Sequence, residues 1–163
     1  MNAPQSPRTL TPSRQEDLRL VSGQGRYAAD WNLPGQLHAF MIRADRPHAR
    51  ILSLDVSAVR NAPGVRLVLT ADDAMAAGFQ PIPTGAPLTD IHGQPQKTAA
   101  MPVLAKDKVV FAGQPIAMVI ADSARLAQDA SERVIIDYED LPACATVEQA
   151  LAEGAPQLHA GSP

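Results

Sequence analysis

A chain of 163 residues, 45% hydrophobic and 19% charged with a formal net charge of −3, has the profile of one globular domain and too little material for two comfortable cores. That balance excludes a disordered chain and a phosphate-backbone binder. Lysines and arginines are scattered, and the nearest approach to a basic patch, Arg43, Arg46 and Arg50, is diluted by Asp45 and apolar neighbours.

Neither nucleic acid nor a membrane is expected as a partner, because the longest apolar runs, such as residues 116–121, fall far short of the roughly 20 residues that span a bilayer. Residues 1–11 are rich in Pro, Ser and Thr but lack the apolar stretch of a signal peptide and carry no paired arginines, which predicts a cytoplasmic location. The single cysteine, Cys144, can form no internal disulfide and holds no iron–sulfur cluster alone. Its Leu-Pro-Ala-Cys-Ala setting predicts a buried small hydrophobe.

In chain order, the segment up to about residue 13 reads as a flexible arm and residues 14–163 as the domain. Leu18, Leu20 and Val21 lead into Ser22-Gly23-Gln24-Gly25, a turn signal. It is no dinucleotide loop, because no strand precedes it, no third glycine follows and no amphipathic helix opens from it. Residues 37–43 are apolar on both alternating faces and predict a buried strand that contains His38, read as structural for want of a second histidine at ligand spacing. Residues 50–56 alternate, with Leu52, Leu54 and Val56 on one face and Ile51, Ser53 and Asp55 on the other.

A helical turn at 57–61, stopped by Pro63-Gly64, precedes a strand at 65–70. Thr70-Ala71-Asp72-Asp73 has the Thr-x-x-Asp form of a helix start and predicts a helix over 71–77 that ends at Gly78. Residues 79–102 carry prolines, glycines and threonines without apolar period and predict a long exposed loop, with His92 as a solvated residue in it.

Residues 103–111 and 115–121 read as two strands of a near-hairpin joined by Ala112-Gly113-Gln114, with Gln114 the only polar side chain at the tip. Asp122-Ser123 caps a helix over 124–133 whose Ala124, Ala127 and Ala130 permit close docking on a sheet, with Leu126 alongside. A buried strand at 134–138 and a short helix at 146–151 led by Thr146 complete the pattern. Strands interrupted by short helices at irregular intervals argue for an α+β fold, a mixed sheet with short helices on it.

The search for chemistry finds no catalytic, cofactor-binding or metal-ligating residue. The carboxyl pairs Glu16-Asp17, Asp72-Asp73 and Glu139-Asp140 are sequence neighbours near element ends, and the first two suit helix starts, where the macrodipole favours negative charge. No Gly-x-Ser-x-Gly elbow, no phosphate-binding loop and no cysteine–histidine set is present.

The run from Arg14 through Glu16-Asp17-Leu18-Arg19-Leu20-Val21-Ser22-Gly23-Gln24-Gly25-Arg26-Tyr27, followed by Asp30 and Leu33-Pro34-Gly35-Gln36-Leu37-His38-Ala39, resembles the opening of the large molybdenum-binding subunit in the xanthine dehydrogenase, aldehyde oxidase and aerobic carbon monoxide dehydrogenase family. His48-Ala49-Arg50-Ile51, Ala62-Pro63-Gly64-Val65, Leu69-Thr70-Ala71-Asp72, Val110-Phe111-Ala112-Gly113-Gln114-Pro115-Ile116-Ala117 and Asp137-Tyr138-Glu139 follow in order and resemble that family's amino-terminal α/β-hammerhead domain.

The resemblance implies a non-catalytic scaffold within an enzyme that hydroxylates aldehydes or nitrogen heterocycles, or oxidises carbon monoxide, with oxygen drawn from water. It implies molybdopterin in the later domains of the large subunit, and 2Fe-2S and FAD in partner modules. The pterin-binding segments and the catalytic glutamate of the family lie beyond the matched motifs, so no catalytic residue transfers to any position here. The resemblance further implies a truncated piece of a large subunit, or a subunit divided between two polypeptides. One departure is Arg43-Ala44-Asp45, where the family often has Arg-Ser-Pro.

Two surfaces are expected to meet neighbouring domains: Gln114 at its hairpin tip and the 79–102 loop. The rival reading, an autonomous carrier-like binding module, lacks its signature, since Lys97, Lys106 and Lys108 have no flanking methionines.

Overall fold

The computed structural model describes Arg14 and residues 16–83, 88–95 and 99–159, so the expected arm at 1–13 and Lys97 lie outside the described residues. The chain divides into two compact units, one ending at Gln36 and the other running from Leu37.

The first unit holds α1 (Asp17–Val21) and a 3-10 turn at Ala28–Asp30. Helix α1 buries none of its residues, and Leu18 and Val21 stand 78% and 83% exposed. The Arg26 guanidinium lies 5.2 Å from the ring centre of Trp31, a cation–π pair at the surface.

The second unit contains β1 (His38–Arg43), β2 (Ala49–Asp55), α2 (Ser57–Arg60), β3 (Val65–Leu69), α3 (Ala71–Ala76), β4 (Lys108–Val109), β5 (Pro115–Ala121), α4 (Ala124–Ser131), β6 (Ile135–Asp140) and α5 (Val147–Leu151). The strands form two three-stranded sheets, ordered β1-β5-β3 and β4-β2-β6, with antiparallel pairing throughout. The α+β class holds, with the strands shared between two small antiparallel sheets.

Strand β5 is central to the first sheet and explains its own unbroken apolar composition. Ile116, Ala117, Val119 and Ala121 are all fully buried. Val119 and Ala121 join Val59, Val68, Ala127 and Ala130 in one cluster, whereas Ile116 joins Ala44, Ala49, Ala105 and Val109 in another. A third, smaller cluster sets Ala71 and Ala74 of α3 against Leu104.

Helix α4 starts where Ser123 Oγ accepts from the Leu126 N–H, and it lies against β1 and β5 through Ala127 and Ala130. Methyl side chains let the helix backbone come close to the sheet. Ala124 faces solvent, and Leu126 instead covers Gly64, whose φ of +75° and lack of a side chain both matter: a Cβ there would lie 2.7 Å from Leu126 Cδ1.

Several expected elements change on folding. The hairpin of 103–111 with 115–121 does not form. Only Lys108–Val109 is extended in the first of these runs, and it pairs with β2, while β5 pairs with β1 and β3. The alternation of β2 is broken by a bulge between Ile51 and Ser53, which turns Ile51 toward the core and leaves Leu52 60% exposed. Strands β1 and β6 are partly rather than fully buried.

The start of α3 follows its sequence signal. The Asp73 carboxylate accepts from the Thr70 N–H at 2.9 Å, from the Thr70 hydroxyl at 2.8 Å and from Arg60 at 2.7 Å. The Thr70 backbone bond is the largest of the influences that hold this carboxylate below its ordinary value, followed by the Thr70 hydroxyl and then Arg60, against an opposing effect of burial. A depressed folded-state value stabilises the fold above the unfolded value, and that contribution is lost as pH falls through the folded one.

Thr70→Ala should therefore lower stability by about 1 kcal/mol, read as a fall in the urea midpoint by far-UV circular dichroism. Asp73→Asn should be less stable than the parent at neutral pH and should lose less further stability on acidification below about pH 4. Parallel acid titrations of the two proteins would contradict this account.

Candidate functional site

Three places in the second unit combine polar groups, chain reversals or exposed apolar side chains, and the sequence expectations can be tested at each. The first is the corner where β1 ends and β5 begins. Gly113 adopts φ +89°, a conformation side chains disfavour, and its N–H donates to Ala44 O at 2.7 Å. The Ala44 N–H donates back to Gln114 O at 2.9 Å, the Ala105 N–H to Pro115 O at 2.8 Å, and Arg43 Nη1 to Gly113 O at 2.9 Å.

Gln114 sits inside this web. It is 3% exposed, and its Oε1 accepts from the Val110 N–H at 2.8 Å. The exposed hairpin tip expected for Gln114 is thus corrected: the side chain faces inward because the turn's backbone bonds go to Ala44, and the amide is needed to satisfy Val110.

The second place is His48, 4% exposed, whose Nδ1 lies 2.6 Å from Pro142 O. A carbonyl can only accept, so Nδ1 carries the proton. The Leu141 N–H donates to His48 O at 3.0 Å, so the histidine clasps the 141–142 corner through both backbone and ring. Its Nε2 is buried without a hydrogen-bond partner. Composition gave no signal for this residue; only the His-Ala-Arg-Ile motif marked it.

The third place is the segment between α3 and β4. An open apolar cleft of about 350 Å³ lies between α3 and residues 102–104, lined by Ala74, Met75, Phe79, Pro81, Val103 and Leu104 among others. Lys106 stands at its edge, paired with Asp72 at 2.7 Å. Among its described residues the expected long loop is largely irregular, with single bridges from Ile82 to Met101 and from Thr89 to Pro95, and Phe79, Ile82, Leu88, Ile91 and Met101 are exposed on it.

The remaining candidates are dispersed. Arg43 serves Gly113 O, Arg46 lies beside Asp45 and Asp140 with its guanidinium over the Tyr138 ring, and Arg50 pairs with Glu139, so the three arginines do not converge. Burial raises the Tyr138 phenol above its ordinary value, with Asp45 adding to the rise and Arg46 opposing it. His38 is half-buried in β1 and His92 exposed in its turn. Cys144 is half-buried, not fully buried as its sequence setting suggested, because it borders a surface depression shared with Ala150 and Pro156. Lys108 donates to Leu158 O at 2.6 Å.

Among the described residues no three His, Cys, Asp or Glu side chains come together in a group that could hold a metal ion. No described helix is long and apolar enough to cross a membrane.

Residues 22–142 match the family described as "Aldehyde oxidase and xanthine dehydrogenase, a/b hammerhead domain", and the chain belongs to that family. It is 39% identical over 145 residues to the carbon monoxide dehydrogenase large chain of Afipia carboxidovorans, covering 89% of this chain and 17% of that protein. It is 38% identical over 143 residues to the 6-hydroxypseudooxynicotine dehydrogenase complex subunit gamma of Paenarthrobacter nicotinovorans, covering 85% of this chain and 17% of that one. Quinoline 2-oxidoreductase from Pseudomonas putida 86 superposes with a TM-score of 0.79 at 36% identity, over 90% of this chain and 18% of its own. The chain thus spans about a sixth of the length of these relatives, which are oxidoreductases of the molybdenum hydroxylase family.

Gln114→Leu keeps the bulk but leaves the Val110 N–H without its acceptor. It should cost about 1–3 kcal/mol, measured by urea unfolding. A cost below about 0.5 kcal/mol, the scale of an ordinary surface substitution, would show that the amide does not hold the corner.

Proposed function

We propose that residues 14–163 form the non-catalytic scaffold domain of a molybdenum hydroxylase large subunit. Such a subunit would hydroxylate aldehydes or nitrogen heterocycles, or oxidise carbon monoxide, in the cytoplasm. The observation that carries this reading is the span of the match: nearly the whole chain corresponds to under a fifth of much longer relatives, the carbon monoxide dehydrogenase large chain among them. Molybdopterin would be held by the rest of the large subunit, with 2Fe-2S and FAD in partner modules, and no step of the reaction is assigned to a residue of this chain.

The physical contribution of the domain would be a rigid surface. The exposed apolar side chains between α3 and β4 and the cleft beside them suit contact with the molybdenum-binding domains. Gln114 would act on that packing indirectly, by shaping the 110–114 turn from within.

Two measurements test the proposal. The purified chain should bind no stoichiometric molybdenum and hydroxylate no quinoline or aldehyde; either metal or turnover would overturn it. Quinoline 2-oxidoreductase carrying residues 14–159 in place of its own corresponding domain should assemble and retain molybdenum, whereas failure of that chimera to assemble counts against the scaffold role.

A further inference from the structure

We propose that the turn at residues 89–95 is a preformed anchor that seats Ile91 in an apolar recess of the molybdenum-binding part of the large subunit. This rests on the scaffold reading above and adds a specific contact to it.

The turn is built from its own backbone. Asp90 Oδ1 accepts from the His92 N–H and from the Gln94 N–H, each at 2.8 Å, and Asp90 O accepts from the Gly93 N–H at 3.0 Å. The Asp90 N–H donates to Gln94 O at 2.8 Å, and Thr89 and Pro95 bridge the base. Gly93 takes φ +76°, which the turn needs and other residues resist. Four hydrogen bonds thus fix the chain on both sides of one side chain.

That side chain is Ile91, 95% exposed and the most exposed of the large apolar side chains among the described residues. A single exposed hydrophobe is ordinary on any protein surface. A β-branched one held out on a turn braced by these bonds is different, because docking it costs little conformational entropy and the N–H groups of Asp90, His92, Gly93 and Gln94 already have acceptors. The Asp90 carboxylate is already engaged, so the tip offers an apolar knob with its local charge satisfied by backbone N–H groups.

The occupant of choice is the remainder of the same polypeptide. In the relatives the matched segment is about a sixth of a single large chain. A tethered partner acts at high effective concentration, so a contact the size of one isoleucine is sufficient to add to docking. Leu88 is also exposed on this stretch and adds apolar surface.

The test uses the chimera introduced above and the isolated chain. Exchange of the 88–95 amides should be slower in the chimera than in the isolated chain by about tenfold to a hundredfold, the range set by burying one isoleucine. Ile91→Asp should abolish that protection, Ile91→Leu should restore most of it, and the unfolding midpoint of the isolated chain should be unchanged by either. Equal exchange in both contexts, or an Ile91→Asp chimera indistinguishable from its parent, overturns the anchor while leaving the scaffold role intact. Concentration-dependent dimerisation of the isolated chain that Ile91→Asp removes would assign the knob to a second copy and overturn it as well. A chimera that never assembles defeats the scaffold reading and the anchor together.

Discussion

β5 has no free edge and no free face. β1 and β3 take its backbone hydrogen bonds on either side, and its side chains enter two different hydrophobic clusters, Ile116 one way and Val119 with Ala121 the other. This double burial ties the rest of the unit together. It requires α4 to lie close, which the methyl groups of Ala127 and Ala130 allow, and it requires the second sheet to approach through the small side chain of Ala49, with Ala105 of the segment before β4 in the same cluster. The buried hydrophobic set is accordingly made of Ala and Val with few larger members, and fine fit replaces bulk as the source of cohesion.

The two buried polar side chains among the described residues, Gln114 and His48, lie at chain reversals. Gln114 satisfies a backbone N–H in the turn before β5, and His48 donates to a backbone carbonyl after β6. Both are committed to the main chain of the domain, so their role is to specify the path of the polypeptide where apolar packing alone would permit several.

Much of the architecture was legible in the sequence wherever local signals decide it. Thr70, Ser123 and Thr146 each cap the helix they announce, and the apolar run of β5 is the strand buried on both faces. What failed were non-local choices. The Ala-Gly-Gln turn imitates a hairpin, but the partner of β4 is β2, and pairing across that many residues leaves no local period to read. The bulge at Ile51–Ser53 reverses which residues face inward, a switch invisible to an alternation count. The family resemblance named the fold ahead of the structure, yet it could not reveal that Gln114 is buried, since burial there depends on Ala44 arriving from a distant strand. The exposure of Ile91 was equally hidden, because a loop without apolar period looks the same whether its hydrophobes are held out or folded in.

The distribution of aromatic side chains decides what light can report about this molecule. The only tryptophan of the sequence, Trp31, sits in the first compact unit, more than half exposed beneath Arg26, while no aromatic residue is among the buried hydrophobic core of the second. Indole emission will therefore report the surroundings of a side chain that is already largely in solvent in the folded protein. Tyr138, half-buried against the second cluster, is the natural optical witness to the sheets.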